Sequence, residues 1–239
     1  MAHGVATDGN RIFVTGGSAK ANSNFGPGLS EMEMCEVVEG KKPEWQLVGE
    51  MGEGRSFLGS VVLDGKVYQI GGCLSEEKST TEVSFSCSHL RSGAQVWDPD
   101  TRKFSAIPRS LSKRDSQGQA VVNDEIYVIG GFDNISNRLD PTKTSAEYQH
   151  LTRYLSTVEK YNPERGRWSK LSGLSLPRRS PGVVAYRDRL YVVGGMGEKE
   201  DLSTGEVFCP SSNEWSKMSK PMTEVNGWCS ACLGEIQYG

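Results

Sequence analysis

Residues 118–131 read Gly-Gln-Ala-Val-Val-Asn-Asp-Glu-Ile-Tyr-Val-Ile-Gly-Gly. Two short apolar runs, rich in β-branched and aromatic residues, flank the Asn123-Asp124 dipeptide, and this composition is typical of buried strands. A dipeptide of this kind between two such runs favours a tight turn. The stretch therefore predicts a β-hairpin whose second strand ends at the Gly130-Gly131 pair.

The same pattern recurs along the 239-residue chain. A glycine opens each hairpin twelve residues before the pair, and the four pairs stand at 16–17, 71–72, 130–131 and 194–195. Two more strands are predicted after each pair. The predicted fourth strand of each repeat carries an aromatic residue, and the predicted third strand carries the residue seven positions before it. These pairs are Val38/Trp45, Trp97/Phe104, Tyr161/Trp168 and Phe208/Trp215. Each repeat is therefore predicted to be a sheet of four antiparallel strands, here a, b, c and d.

Four-stranded units that recur at a period of about 50 residues are typical of a β-propeller. The apolar strand that enters Gly-Gly, followed by Tyr161-Asn162-Pro163 and then Trp168, resembles the kelch repeat. We therefore predict an all-β kelch-type propeller in one domain, residues 1–239, with four complete blades and a partial fifth. The repeats lie at approximately 1–54, 55–113, 114–177, 178–222 and 223–239.

The fifth repeat begins at Gly227 and reaches only the first glycine of its pair, Gly239. It would supply strands a and b alone. Kelch-family propellers usually have six blades, so the resemblance leaves open a truncated domain, a short isoform or an unusual propeller. An unclosed arc would expose strand edges and apolar blade faces, which favours association.

Glycine is abundant, with 28 of 239 residues. We expect the repeat glycines to let the innermost strands approach where a Cβ atom would clash. We expect the strand-d aromatics to fill the space between neighbouring blades. Both roles are structural.

The b–c connections vary most in length, and antiparallel order places them with the d–a connections at one end of the propeller. Loops on a rigid scaffold carry recognition, so this end is the predicted binding face. The alternative is that the long loops are tolerated insertions without a ligand. By the kelch resemblance, residues just before each repeat glycine line the binding pocket; here they include Phe57, Ser116, Ser180 and Asn226.

Basic residues also lie on these d–a connections. Arg55, Arg114 and Arg178 stand four positions before a repeat glycine, with Lys113 and Arg179 beside two of them. One interpretation is a basic rim for an acidic peptide, since arginine fits bidentate capture of carboxylates. The other is that the three in-register arginines bond to carbonyl groups of a neighbouring blade. Regular spacing favours the structural role for those three, and Arg179 is the better ligand candidate. The predicted peptide-binding set is Arg55, Phe57, Arg114, Ser116, Arg179, Ser180 and Asn226.

The sequence predicts no catalytic residue, metal site or cofactor. It has three scattered histidines, and no zinc-binding histidine pair, serine elbow or phosphate-binding loop. The formal net charge of −3 gives no argument for nucleic acid or a membrane surface as partner. The N-terminal residues lack the pattern of a signal peptide, so we expect a cytoplasmic protein.

Six cysteines are expected to be reduced in that compartment. The pair Cys229 and Cys232 falls on a predicted strand a, where the two side chains point to opposite faces, so we interpret it as core packing. Cys73, directly after a glycine pair, and Cys87, in a long loop, are the more exposed candidates for redox sensing.

The leading functional hypothesis is a non-enzymatic protein-interaction module that binds an acidic or extended peptide. The chain is similar to the substrate-binding part of kelch-like adaptors, in which a BTB region, absent from this sequence, recruits a cullin-3 ubiquitin ligase. Some kelch proteins bind actin, and the resemblance implies this alternative too. A small-molecule enzyme or sugar-active propeller is the alternative from another class.

Overall fold

The computed structural model describes residues 3–21, 24–74, 89–90, 92–134, 152–224 and 227. These residues form strands, turns and bends and no helix. Four four-stranded antiparallel sheets follow one another along the chain, and a short two-stranded ribbon lies in each of the first three b–c connections. This all-β arrangement confirms the predicted fold class.

The first two sheets are blade 1 and blade 2. Blade 1 and its ribbon comprise, in order, β1 (Gly4–Thr7), β2 (Arg11–Thr15), the ribbon strands β3 (Ser18–Ala21) and β4 (Asn24–Gly28), β5 (Glu31–Glu36) and β6 (Trp45–Glu50). Blade 2 and its ribbon comprise β7 (Gly59–Leu63), β8 (Lys66–Ile70), the ribbon strands β9 (Cys73–Leu74) and β10 (His89–Leu90), β11 (Ala94–Asp98) and β12 (Lys103–Ile107).

The next two sheets are blade 3 and blade 4. Blade 3 and its ribbon comprise β13 (Gly118–Val122), β14 (Glu125–Ile129), the ribbon strands β15 (Phe132–Asn134) and β16 (Thr152–Tyr154), β17 (Val158–Asn162) and β18 (Arg167–Leu171). Blade 4 comprises β19 (Gly182–Tyr186), β20 (Arg189–Val193), β21 (Gly205–Cys209) and β22 (Glu214–Lys217). The predicted strands a and b of the fifth repeat lie outside the described residues, apart from Gly227.

Strand b ends directly before the glycine pair in every blade, as predicted. The pair then turns the chain through left-handed backbone, with φ of +63° at Gly130 and +101° at Gly131. Side chains rarely adopt this region, which explains the recurrent glycine. The repeat glycine likewise opens strand a in each blade, so the twelve-residue interval measures one a–b hairpin.

One sequence-based assignment in blade 1 is wrong. Trp45 on strand d pairs with Cys35 on strand c, whereas Val38 lies beyond the end of β5. The c–d connection of blade 1 spans residues 37–44, twice the length of the connection at 99–102 in blade 2. A fixed seven-residue spacing could not anticipate the longer turn.

The core lies between the blades as three clusters, each shared by two successive sheets. At every interface an aromatic ring on strand b contacts an aromatic ring on strand c of the next blade. The centroid distances are 5.8 Å for Phe13/Trp97, 6.3 Å for Tyr68/Tyr161 and 6.2 Å for Tyr127/Phe208. Aromatic pairs in this range add to the stabilisation from apolar burial.

The innermost strands approach closely at the repeat glycines. A Cβ atom on Gly118 would stand 2.1 Å from Cγ2 of Val183, in strand a of the next blade. A Cβ atom on Gly4 would lie 2.2 Å from the Oγ atom of Ser60. The predicted crowding at the centre therefore requires glycine at these positions.

The strand-d tryptophans reach the preceding blade only in part of the molecule. Trp215 donates its indole N–H to the carbonyl oxygen of Ser172 at 2.8 Å, and Trp168 donates to that of Pro108 at 2.7 Å. Trp45 in blade 1 is 52% exposed. The expectation that this aromatic fills an inter-blade space therefore holds for Trp168 and Trp215 and not for Trp45.

Candidate functional site

The last residues of three d–a connections, 55–58, 114–117 and 178–181, lie side by side next to the innermost strands. They are here called the inner loops. Backbone hydrogen bonds join them in series, because Ser116 N donates to the oxygen of Phe57 at 3.0 Å and Ser180 N donates to that of Ser116 at 2.8 Å. The inner loops therefore form one connected surface at the predicted binding end.

The first position of each inner loop holds an in-register arginine, and its side chain is buried. Arg114 is 0% exposed; it donates to the carbonyl oxygens of Gly130 at 2.8 Å and Thr157 at 3.3 Å, and pairs with the carboxylate of Glu159. Burial lowers the pKa of Arg114, and the Glu159 charge opposes this shift. The guanidinium thus ties the end of strand b to the start of strand c.

Arg178 and Arg55 repeat this arrangement. Arg178 is fully buried, donates to the oxygens of Gly194 at 2.9 Å and Thr204 at 2.8 Å, and pairs with Glu206 at 3.2 Å. Arg55, 9% exposed, donates to the oxygens of Gly71 at 3.3 Å and Gly93 at 3.0 Å. In each case the carbonyl groups belong to the blade that the arginine precedes.

The guanidinium groups of Arg55 and Arg114 are bonded to backbone carbonyl groups of the blades. This burial contradicts their assignment as peptide-binding residues. It agrees with the structural interpretation, with one correction: the carbonyl partners lie in the arginine's own blade and not in a neighbouring one. Lys113, beside Arg114, is exposed.

The second position of the inner loops varies in chemistry and is here called the variable position: Ser56, Asp115 and Arg179. Its backbone is fixed, because each residue forms a two-way bridge with the residue that follows the glycine pair. Asp115 exchanges hydrogen bonds of 3.1 and 2.9 Å with Phe132, and Arg179 exchanges bonds of 2.9 and 2.8 Å with Met196. A regular backbone thus presents an irregular set of side chains.

The third position holds Phe57, Ser116 and Ser180, all in left-handed backbone with φ of +55°, +50° and +50°. Non-glycine residues pay a conformational cost there, and such residues cluster at functional sites. The hydroxyl oxygens of Ser116 and Ser180 are buried and have no hydrogen-bond partner among the described residues. Three of the predicted peptide-binding residues thus occupy one structural position.

Arg179 lies at the centre of this surface. Its guanidinium carbon stands 4.5 Å from the ring centroid of Phe132 and 6.0 Å from that of Phe57, distances that suit cation–π attraction. Its Nη2 atom lies 3.4 Å from Oδ1 of Asp115, and its side chain is 20% exposed. The aromatic rings and the carboxylate hold the guanidinium at a defined place in a side chain that is partly exposed.

Asp115 is fully buried beneath Arg179. Neither carboxylate oxygen has a hydrogen-bond donor of good geometry among the described residues. Burial raises the pKa of Asp115, against the opposing effects of the Arg179 charge and the Ser116 hydroxyl. The sequence pattern gave Asp115 no role. Its position directly after an in-register arginine, equivalent to Arg179, was the signal that could have identified it.

The β15–β16 ribbon of blade 3 borders the site. Phe132 meets Tyr154 across this ribbon with ring centroids 5.8 Å apart, and Arg153 pairs with Asp133 at 3.6 Å. The ribbon therefore adds an aromatic wall and further charges beside Arg179. Asn226, the remaining predicted site residue, lies outside the described residues.

The cysteines differ from expectation. Cys73 is fully buried and disulfide-bonded, so it is neither an exposed nor a reduced thiol. Cys35 and Cys209 are free. Hydrogen bonds from Ser211 and Ser212 lower the pKa of Cys209 to about 7. Cys87, Cys229 and Cys232 lie outside the described residues.

The described residues contain no cluster of three or more histidine, cysteine or acidic side chains that could hold a metal ion. Within the same part of the chain, no helix is long and apolar enough to cross a bilayer.

Comparison with known proteins agrees with the repeat. The Kelch motif matches residues 118–175 and 177–222. Kelch-like protein terF of Aspergillus terreus is 26% identical over 241 residues, covering 99% of this chain and 48% of the relative. Kelch repeat and BTB domain-containing protein 1 of vaccinia virus is 24% identical over 89% of this chain and 32% of its own length.

The structure of YjhT superposes with a TM-score of 0.69 and 14% sequence identity, covering 93% of this chain and 66% of that one, and shows the fold. The chain thus carries Kelch motifs in four repeated four-stranded sheets and is similar to kelch-like and BTB-kelch proteins. The chain spans about half the length of terF and about a third of that of the viral relative.

Proposed function

We propose that this chain is a non-enzymatic recognition module that binds an extended, acidic segment of a protein partner across the inner loops. The observation that carries the proposal is Arg179, whose side chain is 20% exposed and whose guanidinium is held against Phe132 and Phe57. Arginine held in this way is suited to a carboxylate of a ligand. Arg179 is therefore the proposed charged anchor.

The third position of the inner loops supplies the remaining contacts. Ser116 and Ser180 are partly exposed residues of this surface, and their buried hydroxyl groups lack a well-formed hydrogen bond among the described residues. Rotation of these side chains would bring the hydroxyl groups to the amide groups of an extended chain. Phe57 offers an apolar contact in the same row. The left-handed backbone of all three residues holds the main chain in one conformation before a ligand arrives, which lowers the entropy cost of binding.

The relatives suggest a cellular setting for this recognition. One relative carries a BTB domain in its name, and kelch-like adaptors use such a domain to recruit a cullin-3 ubiquitin ligase. We propose that this chain corresponds to the substrate-recognition part of such an adaptor. Co-purification of cullin-3 with the product of the complete coding sequence tests this part of the proposal. Absence of cullin-3 from that complex would contradict it.

A peptide array followed by titration tests the binding site. Loss of a charged hydrogen bond costs about 1.5–3 kcal/mol, so Arg179→Ala should weaken an acidic peptide by roughly ten- to a hundredfold. Arg165→Ala, on the exposed c–d turn of blade 3 at the opposite end, is the matched charge control and should bind normally. Affinity should fall steeply between low and physiological salt.

Binding that survives Arg179→Ala and Ser180→Ala together would place the site elsewhere. Binding that ignores salt would exclude an acidic ligand. Sedimentation with filamentous actin that is unchanged in both variants would favour an actin-binding surface distinct from the inner loops.

A further inference from the structure

The guanidinium proposed as the ligand anchor already has a carboxylate partner inside the molecule. Oδ1 of Asp115 lies 3.4 Å from Nη2 of Arg179, and the two residues occupy equivalent positions in adjacent inner loops. The side chain of Arg179 is 20% exposed, whereas Asp115 is fully buried. A ligand can therefore reach Arg179 from solvent but cannot reach the carboxylate of Asp115 directly.

The ionised form of the Asp115 carboxylate depends strongly on the positive charge of Arg179. The carboxylate is removed from water and lacks a well-formed hydrogen bond among the described residues. Its other charged neighbour in the ribbon, Asp133, carries the same sign, and the guanidinium of Arg114 is directed to Glu159. An ionised carboxylate in such surroundings is costly unless a cation compensates it.

We infer that Asp115 is a built-in competitor for Arg179, and that an acidic ligand takes the guanidinium from it with uptake of a proton. This inference rests on the proposed function. When a ligand carboxylate forms an ion pair with Arg179, the guanidinium stabilises the negative charge of Asp115 less. A buried carboxylate then favours its neutral, protonated form. The proton comes from solvent and stays on Asp115 in the complex.

The direction of the pH dependence follows from this exchange. The pKa of Asp115, already raised by burial, should be higher in the complex than in the free chain. Between these two pKa values the complex binds one more proton, so affinity should fall by up to about tenfold per pH unit as pH rises. Above both values the affinity should be low and constant, and below both it should be high and constant.

Isothermal titration calorimetry with a blocked hexapeptide of cysteic acid tests the inference. The sulfonate groups of this probe stay charged, so its own titration does not enter between about pH 5 and pH 8. Measurements in buffers of different ionisation enthalpy give the number of protons taken up. We expect uptake by the wild-type chain, and tighter binding as pH falls.

Two variants of Asp115 make the test specific. Asp115→Asn removes the charge and keeps the shape, while Asp115→Ser introduces the residue that blade 2 carries at the equivalent position, Ser56. Both should bind the probe at neutral pH with the affinity that the wild type reaches only at low pH, without proton uptake. Asp133→Asn, a nearby carboxylate paired with Arg153, is the control and should retain the uptake.

The outcomes separate the two proposals. Binding without proton uptake by the wild type, or Asp115 variants with unchanged affinity and pH profile, would overturn the competitor role while leaving the binding site in place. No binding of the probe by the wild type or either variant at any pH would contradict the proposed function, and the inference with it.

Discussion

Arg178 and Arg179 are neighbours in one inner loop and have opposite surroundings. Arg178 is fully buried, and its guanidinium is bonded to two carbonyl groups and Glu206. Arg179 lies against an aromatic ring with a fifth of its side chain exposed. The first position of the inner loop is arginine before blades 2, 3 and 4, whereas the next position changes. The position whose residue is repeated therefore belongs to the scaffold, and the position whose residue varies belongs to the surface that a partner would recognise.

The largest expected effect is the loss of an in-register arginine. Arg178→Ala would leave Glu206 buried without its cation and two carbonyl groups without a donor. Removing one partner of a buried ion pair costs about 3–5 kcal/mol, so the free energy of unfolding in urea should fall by that amount. Arg179→Ala is the adjacent control. Equal losses in the two variants would break the distinction between the positions.

A smaller effect is expected where the innermost strands meet. Gly118→Ala would place a Cβ atom 2.1 Å from a methyl group of Val183. Overpacking of this kind costs typically about 1–3 kcal/mol, which thermal or urea unfolding would detect. Gly52→Ala is the control, because open space surrounds that glycine. If Gly118→Ala were as stable as the control, the strands would not be in close contact.

The smallest effect concerns the strand-d tryptophans. Trp215→Phe would remove the N–H group that donates to Ser172, at a cost of about 1 kcal/mol in the free energy of unfolding. Trp45→Phe should change it by less than about 0.5 kcal/mol, because Trp45 is half exposed. A larger loss for Trp45→Phe would show that its ring is packed as tightly as that of Trp215.

The hairpins could be predicted from sequence because their signals are local. The glycine pair ends strand b by its backbone conformation, whatever surrounds it. The position of strand c in blade 1 could not be predicted, because a longer turn moves Cys35 into the place assigned to Val38. The seven-residue spacing between marker residues gives the length of the c–d turn only when the pairing of strands c and d is already known.

The candidate site was predictable only in outline. The sequence predicted Arg179 because it lies outside the register of the regularly spaced arginines, and it predicted the third-position residues because each stands just before a repeat glycine. It could not identify Asp115 or Phe132 as neighbours of Arg179, since these contacts join different blades and a ribbon. The burial of Arg55 and Arg114 likewise depends on carbonyl groups distant in sequence.

The central claim is that adjacent inner-loop positions divide between stability and recognition. The most direct test measures two quantities on Arg179→Ala: its free energy of unfolding and its affinity for the best acidic peptide from the array. We predict a loss of stability clearly smaller than that of Arg178→Ala, because Asp115 can take up a proton when its cation is removed, and affinity reduced by roughly ten- to a hundredfold. Unchanged affinity, together with a loss of stability like that of Arg178→Ala, would contradict the claim.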